Sequence, residues 1–409
     1  MRLAELFLRA LGDSELSEVH AYDGSRAGTE GAPVRFEVRS RYAVSYLASA
    51  PGELGLTRAY ITGHLDIVGD LHGALTRMHT LRVTDLPTAL RARLAARLLA
   101  TRLRWPVRRP ALEARLRGRR HSPERDQAAI AHHYDVSNRF YEWILGPSMT
   151  YTCAVYPSED ATLEQAQYAK HDLVARKLGL RPGMRLLDVG CGWGGMVMHA
   201  AKEYGVRALG VTLSRKQAEW AQKTIAQRGL GDLAEVRHLD YRDVEDGDFD
   251  AISSIGLTEH IGRSQLPGYF ASLYGKLRPG GRLLNHCITR SDNARPSPVK
   301  GFFGRYIFPD GELLGPGFIM STMNDAGFEL RHDENLREHY ARTLTGWVDN
   351  LAEHWDDAAA EVGEMRARTW RLYLVASRIG FETNNIQLHQ SLGVKLDGTS
   401  SGMPLRPDW

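Results

Sequence analysis

The sequence predicts an α/β chain: a Rossmann-like doubly wound, mostly parallel sheet with a smaller α+β domain on its N-terminal side. Three observations carry this reading. Apolar strand-like runs alternate with amphipathic helical runs between about residues 126 and 290. A glycine-rich turn follows the first of those strands. The 409-residue length exceeds one typical domain and suffices for two cores.

Residues 1 to about 75 open with the amphipathic run Met1–Ala10 and continue with short strand-like stretches such as Pro33–Arg39, separated by glycine turns. From Pro87 to Trp105, Leu90, Leu94, Leu98, Leu99 and Leu103 recur as an apolar helical stripe while Arg91, Arg93, Arg97, Arg102 and Arg104 fill the remaining surface. Trp105-Pro-Val-Arg-Arg-Pro110 ends that helix and Gly118–Pro123 reads as a linker, which puts a domain boundary near residue 125. Strands are then expected at 185–189, 207–212, 234–238, 250–254 and 281–286, with a helix from Lys216 to Gln227. Residues 291–409 are expected to form a helical cap over the site. The two domains are thus 1–125 and 126–409.

Charge is unevenly spread. Between Arg77 and Arg125 there are fourteen Arg, no Lys and three acids, a net +11 within a chain whose formal charge is only +3. This concentration points to an anionic partner: phospholipid headgroups or a nucleic-acid backbone, against the simpler reading of leucines packed inward under solvated arginines. Cys153, Cys191 and Cys287 have neither metal nor disulfide spacing, in keeping with a reducing cytosol. No apolar run approaches the ~18 residues a span requires, so the protein is expected to be soluble or peripheral.

The most specific run is Leu186-Leu-Asp-Val-Gly-Cys-Gly-Trp-Gly-Gly195. It joins a strand, the carboxylate of Asp188 and a turn through Gly190, Gly192 and Gly194 to a helix beginning near Met196, an arrangement that lets backbone approach a nucleotide-like ligand. Dinucleotide enzymes carry nearly the same glycines, but they usually end the next strand with an acid for the ribose hydroxyls. Here that strand ends Thr212-Leu213-Ser214, with Gln217 one turn on. The pattern resembles the class I S-adenosylmethionine (SAM) methyltransferases. The resemblance implies that Asp188 and the glycines hold the methionyl end of SAM while Thr212, Leu213 and Gln217 hold the ribose.

Further motifs occur in order: His132-His-Tyr-Asp-Val-Ser-Asn138, Met149-Thr-Tyr-Thr-Cys-Ala154, Glu259-His-Ile-Gly262, His286 and Tyr306-Ile-Phe-Pro-Asp-Gly-Glu-Leu313. Together with the glycine run they resemble the cyclopropane fatty-acid synthases and mycolic-acid methyltransferases. Pro51–Gly63 is similar to the longer, phospholipid-acting members. The resemblance implies methyl transfer from SAM to a cis double bond, leaving a carbocation that a bound bicarbonate deprotonates. Cys153, Glu259, His286, Ile288 and Tyr340 are the implied bicarbonate set, with Tyr151, Thr152, Tyr241 and Arg242 as further SAM contacts. Phe140, Tyr141, Trp143 and Tyr151 are candidates to face the sulfonium or the cation.

The runs 145–153, 302–308 and 380–390 are most similar to the actinobacterial branch that makes tuberculostearic acid, which implies a 10-methylene product from oleoyl chains and a separate reductase. Cyclopropane formation stays open beside it. With a lipid acceptor, the basic Arg77–Arg125 region is expected to dock a cytoplasmic enzyme on the inner membrane face, the N-terminal domain makes a homo-oligomer the expectation, and nucleic acid is not the expected partner. Two rivals stand: a nucleic-acid methyltransferase gripping phosphates with that basic region, and a SAM-binding scaffold without turnover.

Overall fold

The computed structural model describes residues 2–12, 15–80, 87–114, 125, 136–294, 301–309 and 311–409. The predicted linker Gly118–Pro123, His132–Asp135 and Asp310 lie outside the described residues.

The chain divides into two compact units. The first comprises Met1–Arg115, Lys300–Ile307 and Trp355–Ile379. It carries a four-stranded sheet in the order β2-β1-β3-β4, made of β1 (Ser17–Ala21), β2 (Arg26–Gly28), β3 (Val34–Val38) and β4 (Leu65–Gly69). Alternation in β3 buries Val34, Phe36 and Val38 on one face, where Phe36 meets Phe7 of the helix Leu3–Ala10 at 6.1 Å. The expected helix runs from Thr88 to Arg104. Its face is less uniform than the leucine spacing suggests: Leu94 and Leu98 are half-buried, whereas Leu99 and Leu103 are 61% and 78% exposed.

The expected partition at residue 125, with everything beyond it in one catalytic domain, is corrected by two returning segments. Charge explains the return. Arg58 and Arg305 both donate to the buried carboxylate of Glu113, at 2.7 and 2.6 Å, and Arg368 donates to Asp66 at 2.7 Å and to the Tyr60 carbonyl at 2.8 Å. A buried carboxylate left without such partners is costly, so these contacts select the pairing.

The second unit comprises Leu116–Val299, Phe308–His354 and Gly380–Trp409. Its seven strands are β5 (Arg185–Val189), β6 (Arg207–Thr212), β7 (Ala234–His238), β8 (Phe249–Ile255), β9 (Leu277–Arg290), β10 (Glu329–Asn335) and β11 (Ile386–Val394), ordered β10-β11-β9-β8-β5-β6-β7. Strands β5 to β9 run parallel, while β11 is antiparallel to both β9 and β10. The sheet is therefore the doubly wound one expected, and its order reverses beside β5, where the ligand crevice of such sheets lies. Strands β10 and β11 correct the expectation that residues 291–409 are only a helical cap.

Candidate active site

The site begins at the end of β5. Gly190 has φ of 77°, and a Cβ there would stand 3.2 Å from the Leu257 side chain, so the turn admits only glycine without strain. Behind it a cavity is lined by Tyr151, Thr152, Asp188, Gly190, Gly192, Thr212, Leu213, Gln217, Tyr241 and Arg242. Every predicted cofactor residue is there except Gly194. That glycine instead lets the helix Gly195–Tyr204 pack closely, since its Cβ would meet Ala221 and Val236 at 3.3 and 3.4 Å. Lys170, His171, Trp193 and His260 also line the cavity and were not anticipated.

Burial sets the electrostatics. Asp188 accepts a hydrogen bond from the Ser253 hydroxyl at 2.7 Å, yet desolvation lifts its carboxyl to about 6. Lys170, nearly inaccessible on the helix Leu163–Leu178, donates to the Thr152 hydroxyl at 2.9 Å, and desolvation lowers its ammonium to about 7. The Thr212 hydroxyl donates to Gln217 Oε1 at 2.8 Å, which fixes the end of β6. Tyr241 stands edge-on to Tyr269 and Arg242 is held by Asp240.

An aromatic wall continues from the cavity. Tyr141 lies 4.7 Å from Trp193 and 5.9 Å from Tyr151, Tyr151 lies 5.3 Å from Trp347, and Tyr340 lies 6.1 Å from Trp347 and stacks on Phe381 at 4.4 Å. Phe140 is fully buried beside Tyr141. Trp143 does not belong to this wall: it stacks on His354, lies beneath the Arg139 guanidinium and lines a separate groove.

Cys153, Glu259, His286, Ile288 and Tyr340 do not line the cofactor cavity itself, although Cys153 follows the lining residue Thr152 and Glu259 precedes the lining residue His260. Glu259 sits in the short helical turn Thr258–Ile261 after β8 and accepts the Ile288 backbone N–H at 2.6 Å. The part of Ile288 is thus to orient Glu259. Desolvation raises Glu259 to about 7. His286, on β9, has Gln390 Nε2 at 3.2 Å from its Nδ1, and burial holds its imidazole well below the ordinary histidine range.

Glu259 Oε2 and His286 Nε2 are among eleven buried side-chain atoms of the described residues without a hydrogen-bond partner, an expensive condition that a ligand relieves. Cys153 donates its S–H to the Ala154 carbonyl at 3.2 Å and the Leu336 carbonyl at 3.8 Å, and burial pushes its thiol up, so it stays protonated. Leu336 also accepts the Tyr340 N–H at 3.1 Å, which ties Cys153 to the helix bearing Tyr340. No cluster of metal-ligating side chains occurs among the described residues.

The strand order, the glycine turn and the cavity at the carboxyl ends of β5 and β6 are those of a class I SAM-dependent methyltransferase. Within that class the chain belongs to the mycolic acid cyclopropane synthetase family, whose model matches residues 121–391. It is 54% identical over 406 residues to "Probable fatty acid methyltransferase Rv3720" of Mycobacterium tuberculosis, covering 95% of this chain and 93% of that one. Among solved structures it is similar to the cyclopropane synthase MmaA2 from Mycobacterium tuberculosis, with 34% identity, a TM-score of 0.62, and coverage of 65% of this chain and 98% of that one. It is likewise similar to the mycolic acid cyclopropane synthase CmaA1 complexed with SAH and CTAB, with 33% identity, a TM-score of 0.62, and coverage of 65% and 97%.

Proposed function

We propose that this methyltransferase alkylates the cis double bond of phospholipid-bound oleoyl chains and yields a 10-methylene-octadecanoyl product. The observation that carries the reading is the pair of buried atoms without a hydrogen-bond partner, Glu259 Oε2 and His286 Nε2, on elements that adjoin the cavity lined by Asp188, Thr212 and Gln217. Bicarbonate has the chemistry to satisfy both, since one small anion offers acceptor oxygens to the imidazole N–H and an O–H to the carboxylate. Kinship to a fatty acid methyltransferase supports an acyl acceptor.

When bound, SAM supplies an electrophilic methyl group and bicarbonate a base for the proton the alkylated chain must lose. The chain's own residues do the rest. Asp188 holds positive charge at the methionyl end, and Thr212 with Gln217 meets the ribose. Ile288 N–H fixes the Glu259 carboxyl, and neutral His286 donates a hydrogen bond without surrendering its proton. Tyr141, Tyr151, Tyr340 and Trp347 keep water out, and their faces favour a nearby cation by ~1 to 2 kcal/mol each when desolvated. The protonated Cys153 offers no thiolate to trap a carbocation.

Membrane access is part of the proposal. Leu99 and Leu103 are exposed on the same helix as the exposed Arg91, Arg93 and Arg102, a pattern suited to anionic phospholipid. No described helix is long and apolar enough to cross a membrane. Reversing Arg91, Arg93 and Arg97 to Glu is expected to weaken binding to anionic vesicles at least tenfold; unchanged sedimentation with vesicles contradicts docking by this helix.

The test of function is expression in a host fed oleate, with mass spectrometry of its phospholipid fatty acids. The expected result is a gain of one CH₂ with an exocyclic methylene at C10. The same mass gain without a double bond means cyclopropanation, and no mass gain overturns acyl alkylation.

A further inference from the structure

Four polar groups run in one line from the solvent edge of the sheet to His286. Glu334, Gln390 and His286 lie directly opposite one another on β10, β11 and β9, so strand register alone puts them on one face. Lys177, on the helix Leu163–Leu178, completes the line. Its Nζ donates to Glu334 Oε2 at 2.5 Å and to Gln390 Oε1 at 2.8 Å. Lys177 and Gln390 are each wholly inaccessible and His286 is 1% exposed, whereas the Glu334 side chain is 39% exposed.

The chemistry of the groups fixes which way each faces. An ammonium only donates, so the Gln390 atom turned toward Lys177 is the carbonyl oxygen. The Gln390 NH₂ therefore faces His286 Nδ1 and donates to it, which leaves Nδ1 unprotonated and places the single ring proton on Nε2. That nitrogen is the one without a partner. Burial pulls the Lys177 ammonium below the ordinary lysine range, and the Glu334 carboxylate offsets part of that lowering.

We propose that Lys177 and Gln390 are positioning residues that lock His286 in its Nε2–H tautomer, so that a neutral imidazole presents a donor to an anion. The proposal rests on the anion-binding reading of the site. Its chemical sense is that an imidazolium is an acid and quenches a base it touches, and the opposite tautomer presents a lone pair that repels it. Only the neutral Nε2–H form holds an anion and leaves it basic. A helix lysine and a strand glutamine, acting through the histidine, thereby decide which state it adopts.

The test uses the full-length enzyme labelled with ¹⁵N-histidine, the His286 signals being identified by their loss in His286→Ala. The wild type is expected to show a protonated Nε2 and an unprotonated Nδ1. Gln390→Glu keeps size and the bond to Lys177 but replaces the donor with an acceptor, and is expected to invert the pattern. Gln390→Met removes both roles and is expected to give a mixture of tautomers. Bicarbonate affinity, followed with ¹³C-bicarbonate, should fall at least tenfold in Gln390→Glu, while SAM affinity stays within about twofold and reports an intact fold. A wild-type His286 protonated on Nδ1, or a Gln390→Glu enzyme that keeps the Nε2–H form, overturns the proposal. A wild type that shows the Nε2–H form but binds no bicarbonate refutes the anion reading and leaves the tautomer lock standing.

Discussion

The cofactor cavity and the Glu259–His286 cradle lie near one another in the same unit but differ in how their polar groups are satisfied. In the cavity Asp188 is bonded to Ser253, Thr212 to Gln217 and Lys170 to Thr152. In the cradle one atom of each group, Glu259 Oε2 and His286 Nε2, is buried without a hydrogen-bond partner, while Glu259 Oε1 is bonded to Ile288 and His286 Nδ1 to Gln390. The cavity is preorganised to receive a large molecule that brings its own hydrogen bonds. Glu259 and His286 are each braced by one hydrogen bond and keep one buried polar atom unpaired, the condition on which the proposed anion site rests. Under the proposed function, binding and proton removal fall to separate groups, and each can be broken alone.

The largest break is expected in the cradle. Glu259→Gln or His286→Ala should lower turnover by roughly 10²–10⁴-fold, the usual worth of a positioned acid–base apparatus, while calorimetry finds SAM affinity within about threefold of wild type. Loss of SAM binding in either variant merges the two regions into one and contradicts the comparison.

Next comes the cavity. Asp188→Asn should weaken SAM binding by roughly 10–100-fold, the range for losing a charge-assisted hydrogen bond. The pH dependence follows from the free carboxyl standing at about 6. The carboxylate is the form that receives a cationic ligand, and the ligand lowers the carboxyl's pKa in the complex. Affinity is therefore complete above about 6 and declines by up to tenfold per pH unit below it. Isothermal titrations from pH 5 to 8 should show this step in the wild type and none in Asp188→Asn.

The smallest effect is expected at Cys153. Its thiol stays protonated and donates to backbone carbonyls, a role a hydroxyl also fills. Cys153→Ser should retain turnover within about tenfold. A loss as large as that of the Glu259 variant makes the sulfur itself essential.

The two regions also differed in how far the sequence disclosed them. The cavity rests on a contiguous strand, turn and helix, and its lining followed from Asp188, the glycines and Thr212 with Gln217. Gly194 lies outside the cavity lining and against Ala221 and Val236; a glycine for ligand approach and one for helix packing read alike in sequence. The cradle residues stand far apart in sequence, and only resemblance to a family joined them. Lys170 and Lys177 were missed because lysines on an amphipathic helix read as solvent-facing. Strands β10 and β11 were missed for a related reason. Gln387, His389, Gln390 and Ser391 break the apolar pattern, and three of them are nevertheless buried through side-chain hydrogen bonds. The returns at 300–307 and 355–379 depend on Arg305 and Arg368 finding Glu113 and Asp66, contacts no local pattern reveals.

The most direct test of the separation of binding from proton removal is turnover of purified enzyme on oleoyl-phospholipid vesicles with saturating SAM, first in rigorously bicarbonate-depleted buffer and then after bicarbonate is restored. Such a separation requires that lipid alkylation collapses on depletion and recovers on restoration while SAM affinity is unchanged throughout. Full turnover without bicarbonate, or a parallel loss of SAM binding, contradicts it.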